Sequence, residues 1–403
     1  MSPDNPADST RVGLCLDPLD VLFFRDGRPF DAGSRAYGGL PLPRTMAGAL
    51  RTAMLASVGF DFAGLRARSR AGSDHGRKTT RALLAEKEIG APDWILDARF
   101  RGPWLAFMTE ESNGQTSLSP LLPVPATLAR RDGKNGEEEK WFRSGTRGMN
   151  PPGWTDADLA RPLWPPDDRQ AKHPGGYLTL DGIRRFLEKE NGVPDDSHWY
   201  RDDDLFGHDV RTGIRINAET LTAARSQFYG VQMLALRPEV SIKDPNNQRA
   251  RVVLYEEMIL PPGAPSAAGI GGPIPLGGEG RHAALKVVEA VDWPNAATDG
   301  GRALWLLATP GIFGGRNGHR RADCPDGIVP PARLVAAASR SPLAVSGWDI
   351  AMNGPRPTRF AVPAGAVYCV EGSFEPAGGS LCWDGELAQE GWGYALRGVW
   401  NDG

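Results

Sequence analysis

Cysteine is scarce in this chain: four in 403 residues, at positions 15, 324, 369 and 382. They lie far apart and form no CxxC pair, which argues against a zinc ribbon or a disulfide framework and fits a reducing cytoplasm. Long apolar runs are missing too. None approaches the ~20 residues that cross a membrane, and the polar, acidic start MSPDNPADST carries no signal-peptide pattern. The six histidines (75, 173, 198, 208, 282 and 319) make neither HxxxH nor HExxH. No GxxxxGKS/T loop, no GxGxxG between a strand and a helix and no GxSxG elbow occurs. Zinc hydrolase, P-loop, dinucleotide and serine-hydrolase chemistries therefore have no motif to stand on. His208-Asp209 lacks further ligands placed on helices, and the consecutive carboxylates of Asp202–Asp204 point in different directions. Both read as solvated loops rather than metal sites, so no metal or other cofactor is expected.

Glycine and proline, by contrast, are abundant, at 50 and 35 residues. They announce many turns and loops. The 40% hydrophobic content is enough for a substantial core, and the length suggests two or three domains. The net charge of −3 argues mildly against a stand-alone nucleic-acid binder. Its distribution is uneven, however. Residues 25–81 hold eleven basic and four acidic side chains, a net +7, while acids gather at Glu137–Glu139, Asp195, Asp196 and Asp202–Asp204. Such segregation suggests one basic track on an otherwise acidic molecule.

Within 11–24 hydrophobic patterning predicts a strand, a break at Pro18 and a short apolar continuation, and it predicts a helix over 43–58, where Met46, Ala49, Leu50 and Ala53 recur at helical spacing. Residues 61–82 read as a basic loop, and 94–109 as two strands around Gly102-Pro103. Trp104 and Phe107 sit three apart, so on a strand they face opposite sides and belong in the core. Residues 111–200 read as a long irregular insertion. Its tryptophans 141, 154, 164 and 199 are either interface anchors or self-packed, and an amphipathic helix closes it at 178–190. Further strands are expected at 211–217, 227–240, 251–260, 282–291 and 303–309, with two more within 342–371. The alternation of strands and helices with antiparallel-looking connections indicates an α+β fold.

What remains as chemistry is glycine beside arginine. The sharpest case is Gly38-Gly39-Leu-Pro-Leu-Pro-Arg44-Thr45-Met-Ala-Gly48-Ala-Leu-Arg51. A proline-stiffened turn there runs into a helix start whose free N–H groups suit a phosphate, with Thr45 placed to cap. The others are Arg25 and Arg28 in FFRDGRPF, Arg211 and Arg215 in RTGIRIN, Arg281 after Gly277-Gly278-Glu-Gly280, and Arg316 in GIFGGRNGHR. Arg356 and Arg359 in GPRPTR and Arg397 between Gly391, Gly393 and Gly398 complete the set. Glycine lets a backbone approach a phosphate closely, and arginine is a bidentate, permanently charged partner. With no catalytic triad, dyad or metal set, the pattern favours a sugar–phosphate binder over an enzyme.

The motifs PLDVLFFRDGRPF (18–30), GGLPLPRTMAGALRTAML (38–55), RTGIRINAETLTA (211–223), PLGGEGR (275–281), SGWDIAMNGPRPTRFAVPAGAVYCVEG (346–372) and GWGYALRGVW (391–400) carry a resemblance. In order and content they resemble the third-subunit family of the Cmr module, a branch of the RAMP superfamily found in type III-B CRISPR effector complexes. The resemblance implies two ferredoxin-like (RRM-related) domains, divided here as 1–205 and 206–403, and no catalysis. It implies a cytoplasmic subunit that grips the 5′ repeat tag of the crRNA. As partners it implies the large polymerase/cyclase-like subunit and an adjacent backbone subunit, with target RNA met indirectly. Guide-anchoring subunits hold RNA backbone while base pairing reads the target, so phosphate-gripping loops need no nucleophile. Some RAMP proteins are metal-independent nucleases with a histidine base; His75, in the basic loop, is the one candidate here for that alternative. A scaffold without RNA contact is the other.

Overall fold

The computed structural model describes residues 9–24, 35–36, 39–71, 78–110, 116–133, 139–147, 150, 153–155, 159–164, 170–189, 192–216, 219–220, 222–244, 247–266, 269–296, 301–314, 323–349 and 351–400. The elements that frame the molecule are, in chain order, β1 (Thr10–Pro18), α1 (Pro43–Ser57), α2 (Phe62–Ala71), α3 (Thr80–Leu84), β2 (Arg99–Glu110), β3 (Thr116–Pro123) and β4 (Tyr177–Thr179). They continue with α4 (Leu180–Glu188), β5 (Trp199–Tyr200), β6 (Phe206–Ile216), β7 (Ala223–Leu236), β8 (Arg249–Leu260), β9 (Gly272–Pro275) and β10 (His282–Val288). The last are β11 (Arg302–Leu307), β12 (Arg333–Ala338), β13 (Leu343–Val345), β14 (Arg359–Ala361), β15 (Val367–Glu371), α5 (Gly385–Gln389) and β16 (Ala395–Gly398). The fold is α+β, with mostly antiparallel sheets and few helices. Among the described residues no helix is long and apolar enough to cross a membrane.

The main sheet runs β5-β4-β3-β2-β8-β1-β10-β9, with Val240–Ser241 as a ninth strand beside β8. It draws β8, β9 and β10 from beyond residue 205. A second sheet runs β12-β15-β11-β16, every neighbouring pair antiparallel. Strand alternation decides how the layers stack. Leu14 and Leu16 of β1 and Val252 and Leu254 of β8 point to a core shared with Met46, Leu50 and Met54 of α1. Their neighbours Cys15, Val253 and Tyr255 point the other way, onto Leu304, Leu306, Val367 and Cys369 of the second sheet. The main sheet is thus buried on both faces, and its strands read as near-continuous apolar runs. Trp104 and Phe107 go to opposite cores as their spacing requires. Each fully buried Met or Leu of α1 stabilises the contact by about 2 kcal/mol. All four cysteines are buried and none forms a disulfide.

Several sequence expectations need correction. Residues 62–71 and 80–84 are helical rather than loop, because alanine, leucine and arginine are strong helix formers. Asp61 caps α2 by accepting from Ala63 N and Gly64 N at 3.0 and 2.9 Å, and Thr79 caps α3. Residues 99–110 form one strand, not two. Gly102-Pro103 shifts the register against β8 between Tyr255 and Glu257 without ending the pairing. The stretch expected as an irregular insertion contributes β3, β4 and β5 to the main sheet and α4 to its core. Trp141 and Trp199 are self-packed, edge to face at 6.0 Å. Trp141 Nε1 and Arg130 both bind Asp196, and the hydrogen bonds of Arg130 above all hold that carboxyl well below the usual range. Segment 342–371 holds three named strands, not two, and a further short pair, Trp348–Asp349 with Gly354–Pro355.

Candidate nucleic-acid interface

Helix α1 starts at Pro43, whose missing N–H costs nothing in the first turn. Its N-cap is Leu42 without a side-chain hydrogen bond, so Thr45 is not the cap. Thr45, Gly48 and Thr52 instead form the exposed face of the helix, opposite buried Met46, Leu50 and Met54. That face is one wall of a cleft of about 1250 Å³. Pro103, Trp104 and Leu105 of β2 line it as well, and a further wall comes from Arg340, residues 343–348, Arg356, Pro357 and Arg359. Gly277 and Gly278 let the 275–281 turn close against Phe23. Gly277 has φ +82°, and a Cβ there would lie 2.5 Å from the Phe23 carbonyl oxygen.

Six arginines line the cleft (44, 51, 81, 340, 356 and 359), against the carboxylates of Asp202 and Glu390. They are not equivalent. Arg44 Nε donates to Glu390 Oε2 at 2.8 Å. Arg81 lies 3.3 Å from Glu386 and also binds Gln389. Arg51 donates to the Ala98 carbonyl at 3.2 Å and lies over the Phe100 ring, and burial lowers its pKa to about 10. Arg356 pairs with Asp349 at 2.6 Å. Arg340 and Arg359 are exposed and have no ion pair or hydrogen bond among the described residues. They are the two guanidiniums with their full donor set open to a ligand.

Asp349 organises that further wall. It accepts from Thr80 N, Thr80 Oγ1, Ala351 N and Met352 N at 2.8–3.1 Å, tying its own strand and Ala351–Met352 to α3. Burial is the largest single influence on this carboxyl and opposes ionisation. The bonds from Thr80 and Met352 and the charge of Arg356 together outweigh it, and its pKa falls below the ordinary value. Asp202 goes the other way: burial raises it, against the pull of Arg340.

The glycine–arginine set divides. Gly39, Arg44, Thr45, Gly48, Arg51, Gly277, Gly278, Arg356 and Arg359 converge on the cleft. Arg211 and Arg281 do not; both approach Asp20, at 4.0 and 2.8 Å, and Arg211 also binds Asp209. Arg397 is held by Asn295, the Ala296 carbonyl and Glu375. Gly391 packs on the Phe100 and Gly102 carbonyls, Gly393 on Cys382, and Gly398 on Leu187, so these are close-packing positions in the core. Gly280 is clear of neighbours. Arg25, Arg28, Gly38, His75, Arg316 and the side chain of Arg215 lie outside the described residues. Sequence reasoning missed Arg81, Arg340 and Trp348. Neither Arg81 nor Arg340 has a glycine beside it, and Trp348 carries no charge.

A family model for CRISPR-associated protein (Cas_Cmr3) matches residues 14–400. The chain belongs to the Cas_Cmr3 family. The solved structures it resembles include the type III-B Cmr-beta complex bound to cognate target RNA and AMPPnP, at 17% identity and TM-score 0.45, over 89% of this chain and 86% of that one. The same complex bound to cognate target RNA alone gives 17% identity and TM-score 0.44 at the same coverage. No curated protein matches.

Proposed function

We propose that this Cas_Cmr3 family chain, as a subunit of a type III-B CRISPR effector, anchors the 5′ repeat tag of the crRNA in the α1 cleft. In this reading it is not catalytic, and it joins the large polymerase/cyclase-like subunit to the neighbouring backbone subunit. The observation that carries the RNA role is that, of six arginines lining the cleft, Arg340 and Arg359 are exposed and held by no ion pair among the described residues, in a chain whose net charge is −3. A polyanion is the ligand that such open positive charge attracts. The strand orders support the two ferredoxin-like units of this reading. β10-β1-β8-β2 and β16-β11-β15-β12 are each the antiparallel order 4-1-3-2, with α1 crossing after the first strand of one and α5 before the last strand of the other.

The test is retention of guide RNA. Complexes reconstituted with Arg340→Glu/Arg359→Glu should carry less crRNA than wild type at matched salt, with the subunit still incorporated. Unchanged guide content would remove the cleft from the reading. Incubating the purified chain with repeat RNA separates the nuclease alternative, since site-specific cleavage without metal would favour it.

A further inference from the structure

We propose that Trp348 is a stacking platform for one nucleobase of single-stranded RNA lying in the α1 cleft. This rests on the reading that the cleft takes RNA, and it adds which side chain reads a base rather than a phosphate. Trp348 is on the cleft wall and 59% exposed. Its indole has no ring contact or hydrogen bond among the described residues. Its backbone, in contrast, is fixed from both sides. Gly347 O accepts from Arg356 N at 2.8 Å, and Asp349 is bound by Thr80, Ala351 and Met352. A large flat apolar ring is thus held more than half exposed on a pinned turn, with no ring stacked on it among the described residues.

The surroundings select the partner. Arg356 is anchored one residue away through Asp349, and unpaired Arg359 and Arg340 line the same wall. Open guanidiniums beside an exposed indole are the combination that binds single strands: charge tracks the backbone while the ring takes any base by its π-face. A protein surface docking on Trp348 would have to satisfy or displace these charges with carboxylates of its own. The polyanion needs no such match, and charge complementarity favours it.

The experiment uses the full chain with two fluorescein-labelled ten-nucleotide RNAs, one of ordinary bases and one abasic throughout. Trp348→Ala should weaken binding of the base-bearing RNA about tenfold or more and leave the abasic RNA unchanged; Trp348→Phe should recover most of the loss. Phe360→Ser is the control, since Phe360 is 61% exposed on the same hairpin but off the cleft lining. It should bind both RNAs like wild type. Equal loss on both RNAs, no loss on either, or an equal effect of Phe360→Ser would overturn the platform while leaving RNA binding by the cleft in place. Wild-type protein that binds neither RNA would overturn the cleft reading and the platform with it. Normal RNA binding by Trp348→Ala with loss of a protein subunit from reconstituted complexes would reassign the indole to a protein contact.

Discussion

Arg44 and Glu390 are 346 positions apart in sequence and joined by a 2.8 Å ion pair. The Glu390 side chain is 11% exposed and also accepts from Trp392 Nε1 at 3.2 Å. The arginine that the sequence offers to a phosphate at a helix start therefore fastens α1 to the end of α5. Removing one partner of a buried pair leaves the other uncompensated, which costs ~3–5 kcal/mol when burial is complete. Arg44 is 30% exposed, so the cost here is smaller. We expect Glu390→Ala to lower stability by about 1–3 kcal/mol and Arg44→Glu to lower it further by placing like charges together. The exchange Arg44→Glu/Glu390→Arg should recover part of the loss. Urea denaturation followed by tryptophan fluorescence measures it, and equal midpoints for Arg44→Glu and wild type would show the pair to be idle.

Glu256 sets a pH dependence. It is fully buried in β8, neither carboxyl oxygen has a hydrogen-bond partner among the described residues, and Gly102 packs directly against it. Burial first, then the neighbouring charge of Glu257, raises its pKa well above the ordinary 4.5. The folded state binds this proton more tightly than the unfolded state. Its contribution is therefore full below the unfolded-state value and is lost as pH rises through the folded-state value. Glu256→Gln keeps the shape and removes the titration. It should raise the melting temperature more at pH 8 than at pH 5, flattening the stability profile between them. A parallel shift at both pH values would mean that Glu256 does not titrate across this window.

Two glycines separate backbone need from sequence habit. Gly393 has φ +75°, and a Cβ there would lie 2.6 Å from Cys382 Sγ, so even Gly393→Ala should destabilise by more than about 1 kcal/mol. The strain comes from this chain's own core rather than from a bound strand, so the loss should appear without any RNA. Gly48 is mid-helix in α1 with open space where a Cβ would go. Gly48→Ala should stabilise by about 0.5–1 kcal/mol through helix propensity. Thermal melts of the two variants should move in opposite directions.

What was legible in the sequence was periodic. Met46, Ala49, Leu50 and Ala53 gave α1, and the apolar runs gave β1, β8 and β11, because local pattern and burial agree there. The strands inside 111–200 were not legible: β4 and β5 are only three and two residues long, and β3 finds its second partner, β4, more than fifty residues away. Arginine chemistry was half legible. A glycine-flanked arginine announces itself, but whether its charge is spent internally depends on carboxylates remote in sequence. Arg44 meets Glu390 and Arg281 meets Asp20, and no spacing rule reports either. Arg340, in the plain context Ser-Arg-Ser-Pro, is open to the cleft and gave no sign.

Unspent charge is what salt reveals. Arg340 and Arg359 are exposed, line the cleft and make no hydrogen bond or close ion pair among the described residues, Arg340 feeling only the longer-range charge of Asp202, whereas Arg211 and Arg397 are exposed or half-exposed but bonded to Asp209 and Glu375. A guanidinium that meets a phosphate releases a counterion, so each such contact adds about one unit to the slope of log affinity against log salt. Arg340→Gln and Arg359→Gln should each flatten that slope by about one unit for a single-stranded RNA, and the double substitution by about two. Arg211→Gln and Arg397→Gln should leave it unchanged, because their charges are already neutralised in the free protein. Fluorescence anisotropy across about 50–300 mM potassium chloride, over which the Debye length falls from roughly 14 to roughly 6 Å, supplies the slopes. Should Arg211→Gln flatten the slope as much as Arg359→Gln, the RNA track would run along the β6–β7 hairpin and not through the cleft.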